Sequence, residues 1–244
     1  MILPLINNFV PSYEKWSTRQ PTQQESLDCY QKNGYFLPFV NDKLEERVSS
    51  PFEAACYMAR KGADSALENY IDEQLDNSSE YKIWRQCMPS KTPDAIRKFQ
   101  QEYPNYDQFE VDLEINKNAN ILSDGQFLFH GGLWPSSTAR VKLNKPFSTS
   151  FCPQVALRNA EWRGKAYDAG QIDLFVLRAV RAKTNVFVYR RKGTRMGNEK
   201  EVLFSSGAEL TLVNRTLISE DCLAAKYQCP DKRIPIYVIE VEIS

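Results

Sequence analysis

Glu199 and Glu201 stand two residues apart in the stretch Met196-Gly197-Asn198-Glu199-Lys200-Glu201-Val202-Leu203-Phe204. Val202 to Phe204 read as the start of a buried strand. On a strand, residues i and i+2 point to the same side, so the two carboxylates would face one site together. Such a pair suits chemistry on a cation: one acid stabilises developing positive charge, and the other handles a proton or positions the attacking group. A basic, glycine-bearing loop, Arg190-Arg191-Lys192-Gly193-Thr194-Arg195, leads into them. Glu-x-Glu alone is common, and an exposed edge of alternating charge is the bland alternative.

Three further features lie upstream. Phe127-Leu128-Phe129-His130-Gly131-Gly132 is an apolar strand that ends in the chain's single histidine. Its two glycines would let backbone approach a ligand closely. Lys145-Pro146-Phe147-Ser148-Thr149-Ser150 sets a hydroxyl cluster just before a helix expected from Pro153. Each has an ordinary reading: His130 as a satisfied core histidine, Ser148 to Ser150 as a cap or turn. The third feature is the order: histidine, then hydroxyls about twenty residues on, then acids about fifty further, each at the edge of a strand or turn.

In that order FHGG at 129–132, FSTSFCPQVAL at 147–157 and EKEVLF at 199–204 resemble the ADP-ribosyltransferase superfamily, in particular its toxin-like mono-ADP-ribosyltransferases. The closing IPIYVIEVEI is similar to a final core strand of that fold. The resemblance covers roughly residues 115 to 244. It implies an α+β chain with two packed, mostly antiparallel β-sheets around an NAD+ cleft. A helical lobe at 1–114, for substrate docking or packing, would precede the catalytic core at 115–244.

By the resemblance Glu201 bonds the ribose 2′-hydroxyl and offsets the sugar's charge, Ser148 holds Glu201, and Thr149 and Ser150 order the turn beneath. His130 contacts ribose hydroxyls, Gly131 presents backbone to the nicotinamide amide, and Glu199 orients or deprotonates the acceptor. Phe151, Trp162 and Tyr167 are candidates to stack on nicotinamide, and Arg163 or Arg158 to meet the pyrophosphate. NAD+ is then a substrate, with no metal. The trio is a hybrid, because arginine-first members carry Arg, Ser and Glu where this chain has His130, Ser148 and Glu201. Arginine is the default acceptor of Glu-x-Glu; a threonine or serine acceptor, as on ubiquitin, stays open.

The implied setting is a monomeric bacterial effector or toxin, secreted and acting on a protein of the host cytosol, with the loop at 190–198 facing that protein. Alternatives are an NAD+ glycohydrolase on the same fold, a non-catalytic interaction module, and a cysteine hydrolase pairing Cys152 with His130.

Bulk properties leave room for all of these. A chain of 244 residues, 42% hydrophobic and 25% charged, is that of an ordinary globular protein able to bury a core. A formal net charge of zero gives no reason to expect nucleic acid or an anionic membrane as partner. No apolar run approaches the length of a membrane span, and the short apolar opening lacks the basic start of a signal peptide. Six cysteines without a CxxC read as free thiols, with a Cys222–Cys229 pair not required, and one histidine among scattered cysteines gives no zinc cluster.

The elements that must position these residues change character along the chain. Ser50-Pro51-Phe52-Glu53 predicts a helix start. Ala63, Leu67, Tyr70, Ile71 and Leu75 recur at helical spacing, and Asn77-Ser78-Ser79 breaks the run. Thr92-Pro93-Asp94 predicts a second start, ended by Tyr103-Pro104. Tyr57, Trp84 and Phe99 read as core. Residues 1 to 48 show no clear period. From about residue 120 strand-like runs dominate: 126–129, 173–180, 185–189, 201–204, 209–213 and 236–243. The last alternates, with Tyr237, Ile239, Val241 and Ile243 expected on one side.

Overall fold

A computed structural model describes residues 1–135, 138–194 and 196–244. Arg195 of the basic loop lies outside the described residues. In chain order the elements are β1 (Ile2–Leu3), β2 (Tyr13–Arg19), α1 (Gln23–Asn33), β3 (Val40–Val48), α2 (Pro51–Lys61), α3 (Ser65–Asn77), α4 (Ser79–Gln86), α5 (Asp94–Glu102), α6 (Gln108–Asn118), β4 (Ile121–Leu122), β5 (Phe127–Gly132), β6 (Arg140–Lys142) and β7 (Phe147–Ser150). They continue with α7 (Pro153–Glu161), α8 (Lys165–Ala169), β8 (Ile172–Ala179), β9 (Val186–Val188), β10 (Glu201–Phe204), β11 (Glu209–Ala224) and β12 (Lys232–Ile243).

Residues Phe9–Ser50 form one compact unit, and Met1–Asn8 with Pro51–Ser244 form the other. The chain therefore does not divide near residue 114, because the helices from α2 to α6 belong to the same unit as the main sheet. In the small unit β2 and β3 pair antiparallel, Tyr13 opposite Val48. Between them α1 starts on a capping box, Thr22 accepting from Glu25 N while the Glu25 carboxylate accepts from Thr22 N. Gly34 at φ 78° then supplies the left-handed stop.

The large unit is built on an eight-stranded sheet in the order β6-β11-β12-β8-β5-β7-β10-β9. Only β12 and β8 run parallel; every other neighbouring pair is antiparallel. The α+β class is as expected. The two sheets expected are two wings of one sheet, since β5 and β7 meet at a single residue pair, Phe129 and Ser150. The residues of interest lie at this narrow junction, on β5, β7 and β10.

Apolar stripes at helical spacing fix the helices of the large unit. Leu67, Ile71 and Leu75 of α3 are fully buried, as are Trp84 of α4, Ile96 of α5, and Val111 and Ile115 of α6. Ser78 ends α3 and caps α4, its hydroxyl accepting from Tyr81 N at 3.0 Å. Thr92 is not the cap of α5, which begins on Pro93 without a side-chain cap. In β12 the alternation changes phase: Ile234, Ile236 and Val238 are buried, and so are Ile239, Val241 and Ile243. Tyr237 thus leaves the expected face and lies under the Arg215 guanidinium, 3.8 Å from ring centroid to carbon.

Candidate active site

β7 and β10 pair antiparallel with Ser150 opposite Glu201 and Ser148 opposite Leu203. Side chains two apart share a face, so Glu201 reaches diagonally to Ser148. Ser148 Oγ donates to Glu201 Oε1 at 2.6 Å. Thr149, on the other face, donates to the Val202 carbonyl at 2.7 Å and locks the register. Ser150 Oγ donates to the Glu199 carbonyl at 2.6 Å and accepts from Cys152 N at 3.0 Å. One hydroxyl thereby ties the turn before β10 to the start of α7.

Glu201 has a second partner that sequence reasoning missed. Gln100 Nε2, on α5, donates to Glu201 Oε2 at 2.8 Å. Burial pushes the Glu201 carboxyl up to about 7; the Ser148 donor opposes this, the neighbouring Glu199 charge adds to it, and the Gln100 donor opposes it. A signal for Gln100 existed, since it lies four residues after buried Ile96 and beside buried Phe99, a polar residue on an apolar stripe.

Glu199 is not on the strand. It ends a 3-10 turn, Gly197–Glu199, and Lys200 follows at φ 51°. The left-handed residue breaks the period of two, so the expectation that both acids share a strand face is overturned. Burial raises the Glu199 carboxyl, and the Arg158 charge partly offsets this.

His130 closes the cluster from β5. Its Nδ1 lies 2.8 Å from the Ser148 carbonyl; a carbonyl can only accept, so this nitrogen is assigned the proton and Nε2 is left as an acceptor. The ring packs on Phe147 and Phe175, centroids 4.3 and 5.5 Å away. Burial pushes its pKa down to about 4, with the Ser148 carbonyl pulling the other way, so the ring is neutral. Glu201, Ser148 and His130 thus form one chain of contacts across three strands, β10, β7 and β5.

Other expected site residues lie in different surroundings. Gly131 is required by packing, because a Cβ there would stand 1.8 Å from the Ala156 carbonyl oxygen of α7. Phe151 is core: it is 1% exposed and packs against Tyr81 and Trp84, ring centroids 6.0 and 5.3 Å away, so it has no free face for a nicotinamide. Trp162 and Arg163 sit together on the turn after α7, exposed, guanidinium over indole at 5.6 Å. Tyr167 takes the Lys232 ammonium over its ring at 4.5 Å. Arg158 pairs with Glu68 at 2.9 Å. Cys152 is fully buried with its thiol pushed up to about 11 by burial, which works against the thiolate that a cysteine hydrolase needs. All six cysteines are free.

The basic loop is also spoken for. Glu68, Asp72 and Asp76 recur every four residues on α3 and form an acidic stripe. Arg191 bonds Asp72 and Asp76, and Lys192 reaches Asp76 at 3.0 Å. Lys200, wholly buried, reaches Glu68 at 3.2 Å and Asp72 at 3.1 Å. Arg190 donates to the Ser90 carbonyl at 3.0 Å. The turn that carries Glu199 is therefore clamped to α3.

No protein-family model matches the chain, and no curated protein sequence matches it. Solved structures do. The enzymatic component C2-I of the C2 toxin from Clostridium botulinum superposes with a TM-score of 0.41 at 10% identity, over 66% of this chain and 45% of that one. C3larvin, an ADP-ribosyltransferase toxin from Paenibacillus larvae, gives 0.38 at 10% identity over 68% and 94%. Exoenzyme S from Pseudomonas aeruginosa, solved with human 14-3-3 protein β and carba-NAD, gives 0.30 at 14% identity over 78% and 80%. The chain spans less than half the length of C2-I. Likeness at this level leaves the functional reading to the site's own geometry.

Proposed function

We propose that the chain is a mono-ADP-ribosyltransferase that moves ADP-ribose from NAD+ to a side chain of a protein. The observation that carries the reading is the Glu201 carboxylate, buried and held by Ser148 at 2.6 Å, with His130 fixed on the same serine's carbonyl. An ionised carboxylate in a water-poor corner stabilises a nearby cation more strongly than it would in water. The bond between nicotinamide and ribose breaks with its electron pair going to the ring nitrogen, which leaves positive charge on the sugar. Glu201 accepts from the ribose 2′-hydroxyl and offsets that charge. His130 Nε2, an acceptor in the neutral ring, takes a ribose hydroxyl.

The acceptor then attacks the anomeric carbon and loses a proton to Glu199, whose raised pKa suits it to receive one. Thr149 and Ser150 keep β7 and the turn in register, and Arg163 is the proposed contact for pyrophosphate. Arginine is the first acceptor to test. The chain is read as a monomeric effector acting on a host protein.

The test is incubation with labelled NAD+ and a eukaryotic lysate, followed by mass spectrometry of the modified protein. Wild type labels protein, Glu201→Gln stops all NAD+ turnover, and Glu199→Ala keeps NAD+ cleavage while losing transfer. NAD+ consumed with no label on protein identifies the glycohydrolase instead. Full turnover by Glu201→Gln ends both readings.

A further inference from the structure

Both oxygens of Glu201 are engaged, and they are engaged by different parts of the large unit. Ser148 belongs to the sheet and holds Oε1. Gln100 belongs to a helix about a hundred residues earlier and holds Oε2. We infer that Gln100 is a positioning residue, which fixes the rotamer of Glu201 from the helical side and favours its ionised form; the inference rests on the role proposed above for Glu201.

The placement of Gln100 is built in several steps. Ile96 and Phe99 bury the inner stripe of α5. Tyr189, just past β9, donates its hydroxyl to the Ile96 carbonyl at 3.0 Å. Tyr189 N in turn donates to the Glu201 carbonyl at 3.1 Å. The same tyrosine thus joins the backbone of β10 to the turn of α5 that leads to Gln100. Because an ionised carboxylate only accepts, the amide nitrogen of Gln100 is the atom that faces it.

A charge buried with one donor is poorly compensated, and a second donor supplies a charge-assisted hydrogen bond. Gln100 is also neutral, so it lends no positive charge that would compete with a developing sugar cation. An arginine or lysine in its place would ionise Glu201 more fully but would repel that cation. Each carboxylate oxygen has two acceptor positions, so Oε2 can keep Gln100 and still accept a ribose hydroxyl.

Besides burial, which raises the Glu201 carboxyl most, a few neighbouring groups act on it. Glu199 on the preceding turn raises its pKa, while Ser148 on β7 and Gln100 on α5 lower it. Tyr189 after β9 is raised well above its usual value by burial, with the Glu201 and Glu199 charges adding to it, so it stays neutral. Lys200, the next residue, directs its ammonium away to Glu68 and Asp72. Removing the Gln100 donor therefore acts on a short set of influences.

The experiment is carbon-13 NMR of the full chain labelled at glutamate side-chain carboxyls, titrated from pH 4 to 9. The Glu201 resonance is assigned by its loss in Glu201→Gln. Gln100→Leu and Gln100→Met keep the side chain's bulk and delete the donor. In either folded variant the Glu201 midpoint is expected to rise by roughly one pH unit. The acidic limb of NAD+ turnover should move with it, and kcat should fall more than KM rises. An unchanged midpoint in a folded variant overturns the inference, whatever the activity does. If the wild type consumes no NAD+, the proposed function fails while the titration still reads Gln100.

Discussion

Glu201→Gln should make the protein more stable at alkaline pH while abolishing turnover. Glu201 is 5% exposed, and its carboxyl is raised from 4.5 to about 7, chiefly by burial. The folded chain therefore holds the Glu201 proton more tightly than the unfolded chain does. Stability is therefore unaffected by this group below about pH 4.5, falls as pH rises towards 7, and is level above that. At about 1.4 kcal/mol per pH unit of displacement, the ionised carboxylate costs the fold on the order of 3 kcal/mol. Glutamine has nearly the same shape and no charge. Its amide oxygen can accept from Ser148, and Gln100 can turn its own amide to accept from the new nitrogen. Some hydrogen-bond quality is lost in that exchange, about 1 kcal/mol. The expected net gain is then about 2 kcal/mol at pH 8 and close to zero or slightly negative at pH 4.5. Urea denaturation of both proteins at pH 4.5, 6, 7 and 8 measures it. A variant that is no more stable than wild type at pH 8 would show that Glu201 bears no desolvation cost. The case for a charge kept ready in a dry corner would then fail.

The pH dependence of NAD+ turnover should show an acidic limb near pH 7, as Glu201 takes up a proton and loses the charge that offsets the sugar cation. His130, pushed down to about 4 by burial, is neutral near pH 7, so His130→Asn should weaken NAD+ binding without moving that limb; a displaced limb would assign it to the histidine. Cys152→Ala should keep NAD+ turnover within about threefold, and loss of all activity in a folded variant would revive a cysteine mechanism. Gly131→Ala places a methyl 1.8 Å from the Ala156 carbonyl oxygen and should cost about 3 kcal/mol or more, because strand and helix must part; a near-native melting temperature would refute the close approach. Lys200→Met removes the buried cation between Glu68 and Asp72. Those acids keep Arg158 and Arg191 as partners and are partly exposed, so the loss in urea should be about 1–2 kcal/mol rather than the 3–5 of a fully buried pair.

What could be read from the sequence follows the range of each signal. Pro51 at a helix start, Leu67, Ile71 and Leu75 at helical spacing, and Ser78 at a break are local, and each stands where its pattern put it. The ordered set His130, Ser148 and Glu201 comes from the resemblance of FHGG, FSTS and EKEVLF to a known family, and the three side chains meet through the Ser148 hydroxyl and carbonyl. Glu199 could not be placed by parity, since one left-handed residue, Lys200 at φ 51°, sets it in a turn rather than on the strand. Phe151 misled because the residue after a hydroxyl cluster at a strand end can point either way, and here it fills space beside Trp84. Thr22 and Glu25 form a capping box at the start of α1, and Asp107 accepts from Glu110 N at the start of α6; these local signals are hard to read because the apolar period behind them is weak.

The loop at 190–194 shows why a charge run is a poor guide to a partner. Arg191 and Lys192 read as a surface that would meet an acidic protein, yet their partners are Asp72 and Asp76 of the same chain. Arg191 and Lys192 are thus paired within the chain against the acidic stripe of α3. Electrostatic steering by this loop is weakened accordingly, because paired charges cast little field beyond a Debye length. What the pairing does supply is position. Lys200 reaches α3 from inside the turn and Arg191 from its far end, while Ser150 holds the Glu199 carbonyl from the sheet. Glu199 is thus fixed from both sides even though it is not on a strand, and Glu201 is held from both sides by Ser148 and Gln100. Each acid of the pair is set by one anchor from the sheet and one from the helices. In the large unit, α5 through Gln100 and α3 through Asp72 thus hold the stretch that carries the two acids.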